Sequence, residues 1–400
     1  MAAELNSPLE GRMLNFLYRW HRLEKGKGSK TGLEIIDFDL ITKGKDYPGK
    51  FRSRAEAQKE LEGIIRGYSK LRGKNSFVLA KLTACQYYLR ALQGEQIPFG
   101  EYVSSTIGVS PEMISKSDLD KQLKQTANAY RALGYDYSER GLEKFRKENC
   151  LSRAQIKRTF QDFQDETLPK VTHWLGIKIR PEYKVKFVDM DVYWQNRIFT
   201  DEKGKIHLHY NLNERLDWSR GSAENMAFHE ICAHAIQALS WKNQVAKKKL
   251  SQVAGLTAVF DPSAFQWEGL AETLDLFCPF EPFSKYGLAH HCADHLYWLV
   301  YNNVCIMANR EEDGGKIVDF VRSYLPGEPE ETIVKEANER VSDPLSRAYT
   351  YVFGISLHHH RKIAQGLSPE GRKKYVLDMF QNAYTPKEIL KKYCPLGSRI

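Results

Sequence analysis

Phe228-His229-Glu230-Ile231-Cys232-Ala233-His234 decides how this chain is read. Two imidazoles flank a carboxylate, with apolar residues between them. That is the make-up of a zinc site in which the glutamate activates a water. The histidines are five residues apart, however, and in a regular α-helix five residues turn through about 140°. A regular helix would aim the two rings apart. A π-bulge, or a break after Cys232, would bring them together, so an irregularity is predicted here. Taken alone, the pair also fits two ordinary core or surface histidines.

A second fragment, Trp267-Glu268-Gly269-Leu270-Ala271-Glu272, changes that balance. Asp261-Pro262 starts its helix with an acidic N-cap and proline at the first position, and Cys278-Pro279 ends it. Glu268 and Glu272 then share a helical face that Asp275 continues. Acids among Leu270, Leu274 and Leu276 need a partner, because burying unpaired carboxylates is costly. A divalent cation supplies one. Glu268 is assigned as third ligand beside His229 and His234, with one Zn2+ per chain. Glu272 is placed behind it, orienting a ligand imidazole through its free N–H; the reverse assignment of the two acids stays open. Glu230 is the general base. Gly269 fits a close approach of the two site helices.

Other histidines compete. His290, His291, Cys292 and His295 form a compact donor set, but no acid-and-glycine fragment accompanies it. His358-His359-His360 cannot hold one ion from a helix, since successive side chains point in different directions. In Ala348-Tyr349-Thr350-Tyr351-Val352-Phe353-Gly354 and just beyond it, the residues Tyr351, Gly354, His358 and Arg361 lie at helical spacing. Tyr351 and His358 are expected to stabilise an oxyanion, and Arg361 to grip a substrate carboxylate. Gly354 leaves room for a backbone or a substrate. A helix that merely packs its aromatic and small residues would show the same pattern.

Around these motifs the chain reads as helical, over Arg54–Tyr68, Ser76–Leu92, Leu119–Leu133 and Arg153–Leu168, then from Ser222 onward. Ser222 is the expected cap of the His229 helix, with Glu224 in its first turn. Later helices are expected over His291–Ala308, from Thr332, and over Ser346–Gln365, with Gly314-Gly315 and Pro326-Gly327 as loop points. Between the helical parts, Tyr183–Val188, Val192–Thr200 and Lys205–Asn211 favour strand, with a turn at Asp201-Glu202-Lys203-Gly204. Ile206, Leu208 and Tyr210 fall on one face of the last strand. His207 and His209 fall on the other and are expected to line the cleft, where an edge strand could pair with an extended peptide. Residues 1–180 are a helical part forming a cleft wall, and 181–400 the zinc-binding part.

The 400 residues are 42% hydrophobic and carry a net charge of +9, with pI ≈ 9.0. That is enough for a sizeable core and argues against general disorder. The charge suits solvated basic faces or an acidic partner. Seven scattered cysteines without a C-x-x-C pair suit reduced thiols in a cytoplasmic protein. No secretory signal and no membrane-length apolar run is visible. Without zinc-finger spacing or an aromatic-basic ribonucleoprotein pattern, nucleic-acid binding is the weaker alternative.

His229-Glu230 to His234, followed by Glu268-Gly269-Leu270-Ala271, resembles the microtubule-associated tyrosine carboxypeptidase family of gluzincin metallopeptidases. Those proteins have the same histidine spacing, and their bacterial relatives carry a Glu-Gly-Leu-Ala segment. Ala348 to Gly354 also resembles the tyrosine-glycine helix of a bacterial family of helical metallopeptidases whose histidines are spaced differently. The likeness is one of motifs and spans roughly Lys205 to Arg361. To the mainly α fold with a small antiparallel sheet and a deep cleft that the element pattern gives, the likeness adds the ligands His229, His234 and Glu268 and the catalyst Glu230. It implies a zinc peptidase acting on the C-terminus of a peptide or protein, an acidic one if the net charge guides it. Tubulin is not implied as substrate. A peptidase-like scaffold that binds peptide without cleaving it is the main alternative, and the intact Glu230 argues against it.

Overall fold

The computed structural model describes residues 7–25, 35–71, 75–178, 183–190, 195–201, 203, 205–213 and 218–394. The chain is mainly helical with a small sheet. Its first part contains α1 (Ser7–Lys25), β1 (Phe38–Asp39), α2 (Arg54–Ser69), α3 (Ser76–Leu92), α4 (Phe99–Thr106) and α5 (Lys116–Arg131). Then come α6 (Glu139–Asn149), α7 (Arg153–Asp162), a π-helical turn over Phe163–Thr167, and α8 (Leu168–Leu175). The strands β2 (Tyr183–Val188), β3 (Asn196–Thr200) and β4 (Ile206–Asn211) form the sheet. The chain continues through α9 (Arg220–Ala227), a π-helical segment (Phe228–Ala235), α10 (Ile236–Ala246), β5 (Leu256–Thr257), α11 (Pro262–Phe277) and α12 (Lys285–Asn309). It closes with α13 (Gly314–Tyr324), α14 (Glu330–Ser342), α15 (Pro344–Gly366), α16 (Pro369–Gln381) and α17 (Pro386–Tyr393).

α11 is the central helix. Fourteen of its sixteen residues are buried, which is the mark of a helix packed on every side. Its start follows from Asp261, which accepts from the Ser263 amide at 2.8 Å, and from Pro262 at the first position. Asp261 is itself buried, and Lys81 of α3 pairs with it. A buried charge pair of this kind is costly to break from one side. Gln266 donates to the Met379 and Asn382 carbonyls, both at 2.7 Å, and so ties α11 to the end of α16. Phe265, Leu270 and Leu274 are fully buried, each contributing about 1.5–3 kcal/mol through burial.

β3 and β4 form an antiparallel hairpin, and β2 joins β4 in parallel. β4 therefore lies in the middle, with Ile206, Leu208 and Tyr210 buried. Because β4 is central, it cannot offer an edge to a peptide; β3 is an outer strand. Val192 to Trp194 and the turn residues Glu202 and Gly204 lie outside the described residues. One hydrophobic core runs from Leu9 to Leu390, so the 1–180 part shares its core with the rest. Residues 1–180 contribute little to the cleft wall, through Asp37 and Phe38.

Two local expectations need correction. The cap of α9 is Ser219, whose hydroxyl accepts from the Ser222 amide at 3.1 Å; Ser222 sits three residues in and closes the reciprocal capping box. Gly314-Gly315 is not a loop but the first turn of α13, capped by Asp313. All seven cysteines are unpaired thiols. Among the described residues, no helix is long and apolar enough to cross a membrane.

Candidate metal centre

The helix bearing His229 changes its hydrogen-bonding register over Phe228–Ala235, where it is π-helical. The i→i+5 pattern gives each turn one more residue. Residues five apart then come to the same side. The rings of His229 and His234 stand 4.6 Å apart between centroids, at 82° to each other. The irregularity predicted from the spacing is present.

α11 crosses this segment with its acids facing the two rings. Glu268 Oε2 lies 3.6 Å from His229 Nε2 and 3.4 Å from His234 Nε2. Donors bound tetrahedrally to zinc at about 2.0–2.2 Å stand roughly 3.3–3.6 Å from one another, so this spacing fits one ion. Glu230 offers a carboxylate oxygen within 4.8 Å of donors on both histidines. Its Oε1 is 4.0 Å from His229 Nε2, farther than Glu268, which suits a neighbour of the ion more than a ligand. On the far side of His229, Nδ1 is 3.3 Å from Glu272 Oε1. The plane of His234 lies against Trp267, with centroids 5.7 Å apart.

The electrostatics favour a positive charge at the centre. Burial alone would push the Glu268 carboxyl up, but His234 and His229 hold it down at about 2. Burial opposes a charge on His229, yet Glu268 and Glu272 outweigh it and hold the imidazolium well above its usual range. Glu230 is raised, chiefly by burial, with the two histidines offsetting part of the effect. Glu230 Oε2 and His234 Nδ1 are buried without a hydrogen-bond partner among the described residues. An orphaned carboxylate oxygen beside a compact donor set is what a metal-bound water leaves when protein atoms alone are counted; His234 Nδ1 is the nitrogen turned away from Glu268 and does not bear on the ion.

The site opens into a cleft of about 900 Å³. One wall is β3 from Asn196 to Ile198; the other is built by α12, α14 and α15. Asn196 donates through Nδ2 to Glu230 Oε1. Sequence reasoning missed this residue, because a lone asparagine at a strand start carries no signal.

The other predicted residues lie elsewhere. Tyr351 is fully buried; its hydroxyl donates to the Ser110 carbonyl at 3.1 Å and accepts from the Glu112 amide at 2.9 Å. His358 faces Glu112, Nε2 to Oε1 at 3.5 Å, and His359 faces the other oxygen at 3.4 Å. Arg361 reaches Gln125 of α5 at 3.5 Å. The cleft face of α15 is instead Ser346, Tyr349, Thr350 and Phe353; the two-residue step from Tyr349 to Tyr351 turns the helix through about 200°. Gly354 does leave room for a backbone, that of α12 at Trp298. His207 pairs with Asp201 at 2.9 Å, and with His209 lines a shallow hollow on the outer sheet face, not the cleft.

The histidines of α12 buttress the site. His291 Nδ1 bonds Asn225 Oδ1 at 2.8 Å, and its Nε2 faces Asp275 at 3.2 Å. His295 Nε2 bonds the Glu272 carbonyl at 2.7 Å. Gly269 allows a close approach, but to α15: a Cβ there would run into the His360 ring.

No model of a known protein family matches the chain, and no curated protein matches it. Its fold is similar to the crystal structure of the putative lipoprotein from Colwellia psychrerythraea, with a TM-score of 0.55 at 12% sequence identity. The match covers 89% of this chain and 65% of that one, so the chain spans about two thirds of that protein's length. At this identity the likeness concerns the fold alone.

Proposed function

We propose that this chain is a zinc-dependent peptidase. The observation that carries the reading is the position of Glu268 Oε2, within 3.6 Å of a ring nitrogen on each of two histidines that a π-helical turn aligns. His229, His234 and Glu268 would hold the ion, and Glu272 would fix the ring of His229. Zinc bound there would supply Lewis acidity, acidifying a water and polarising a carbonyl.

Glu230 takes the proton of the attacking water and passes it to the leaving amine. Asn196 holds Oε1 of Glu230, the oxygen nearer His229, and so fixes the carboxylate beside the ring. Tyr349, on the cleft face of α15, takes the oxyanion role expected of Tyr351. β3, as an outer strand beside the site, can align an extended peptide backbone. The motif resemblance supports the same chemistry.

Carboxypeptidase action needs a cation for the terminal carboxylate, and Arg361 lies outside the cleft. Among the described residues, Arg197 of β3 and Lys335 of α14 are the cations on its wall. Digestion of a peptide mixture by wild type and Glu230→Gln tests the proposal. Wild type should cleave, and the variant should keep its zinc and lose hydrolysis. An active Gln variant ends the general-base role, and zinc without cleavage of any peptide leaves a binding scaffold. Equal cleavage of free and amidated C-termini removes the carboxypeptidase reading.

A further inference from the structure

The chain is basic as a whole, yet the cleft is lined by acids. Glu230, Glu268 and Glu272 belong to the metal centre. Beyond them stand Asp37, Asp294, Glu336, Glu339 and Asp343, against Arg197 and Lys335. Four of these five carboxyls lie on the wall made by α12, α14 and α15.

That wall also carries an aromatic ladder. Trp298 and Phe353 stack with centroids 4.3 Å apart at 13°, and Tyr349 meets Phe353 edge-on at 5.0 Å. Asp294 and Trp298 share a face of α12, one turn apart. Glu336 is held by Arg340 at 3.1 Å and by the Tyr297 hydroxyl at 2.8 Å, and Asp343 caps α15 through the Ser346 amide at 2.8 Å. Glu339 is exposed at the cleft mouth. Across the cleft from this wall stand Trp267 and the acids of the metal centre.

Aromatic faces beside carboxylates suit a cationic side chain, which gains from the ring quadrupole and from the charges together. An acidic peptide would meet like charge in a confined, partly desolvated groove. We propose that the cleft selects peptides carrying lysine or arginine beside the bond to be cut, with Tyr349, Trp298, Phe353, Glu339 and Asp343 forming the recognition wall. This deepens the peptidase reading and rests on it for the word substrate. It reverses the acidic partner that net charge alone suggests, because most of the lysines and arginines lie outside the cleft.

The test is a binding titration that needs no turnover. A fluorescein-labelled peptide of alternating lysine and alanine, with blocked ends, is compared with its glutamate counterpart on zinc-free and zinc-loaded protein. Glu339→Gln and Lys335→Glu are titrated alongside; both positions are exposed, so both variants should fold. The lysine peptide should bind roughly tenfold more tightly than the glutamate peptide in low salt, and lose this advantage as salt is added. Glu339→Gln should weaken it and Lys335→Glu strengthen it, each by about threefold. Equal affinity for the two peptides, no binding of either, or lysine-peptide affinity indifferent to both substitutions overturns the proposal. A chain without hydrolysis can still pass this test, and a peptidase of neutral preference fails it.

Discussion

His229 Nδ1 lies 3.3 Å from Glu272 Oε1, while Nε2 of the same ring faces Glu268 at 3.6 Å. One imidazole is thus gripped from behind by the acid one helical turn beyond the acid that shares its front. The carboxylate behind fixes the tautomer and raises the basicity of the nitrogen in front. Glu272→Gln should therefore weaken zinc binding about 10–100-fold without abolishing it. Competition with a calibrated chelator measures this, and unchanged affinity would return Glu272 to a packing role.

Tyr349 and Tyr351 are two residues apart, and the structure places one on the cleft and the other in the core. Tyr349→Phe should lower kcat with little change in stability, since its ring lines the cleft. Tyr351→Phe removes a donor to the Ser110 carbonyl and an acceptor for the Glu112 amide. It should cost about 1 kcal/mol of stability and leave kcat alone. Urea unfolding and steady-state kinetics on both variants separate the roles.

Glu112 is held well below the usual carboxylate range, first by His358 and then by His359. A carboxyl depressed on folding stabilises the protein above its unfolded pKa, and that contribution fades as pH falls through the folded value. Glu112→Gln should lower Tm at pH 7. The gap from wild type should begin to narrow below about pH 4, where the unfolded carboxyl takes up its proton, and close only as pH falls through the lower folded value. A gap that persists unchanged into strong acid would assign the loss to packing.

Gly269→Ala places a methyl group against the His360 ring where α11 meets α15. Overpacking at such a crossing costs about 1–3 kcal/mol, read as a lower Tm. Because Gly269 follows Glu268, zinc affinity should fall as well. A variant as stable as wild type would mean that α15 can shift freely.

Much of this was legible in the sequence because local chemistry and tertiary role agree. The five-residue histidine spacing demands a wide turn, and Phe228–Ala235 is one. Asp261-Pro262 and Cys278 bound α11 as their capping chemistry dictates. The face of α15 was not legible. Residues 351–360 are buried all round while Ser346, Tyr349 and Thr350 are partly buried, so periodicity singles out no one face. Ser219 and Ser222 are both competent caps three residues apart, and only the observed backbone turn chooses Ser219. Asn196 meets Glu230 through the pairing of β3 with β4, a contact between residues 34 apart that no local pattern encodes.

The most direct test is zinc content of purified protein, wild type beside Glu268→Ala, after dialysis against a weak chelator. The account predicts about one zinc per wild-type chain and strong loss in the variant. A Glu268→Ala chain that keeps stoichiometric zinc, or a wild type that never binds it, would contradict the three-ligand centre on which the proposal rests.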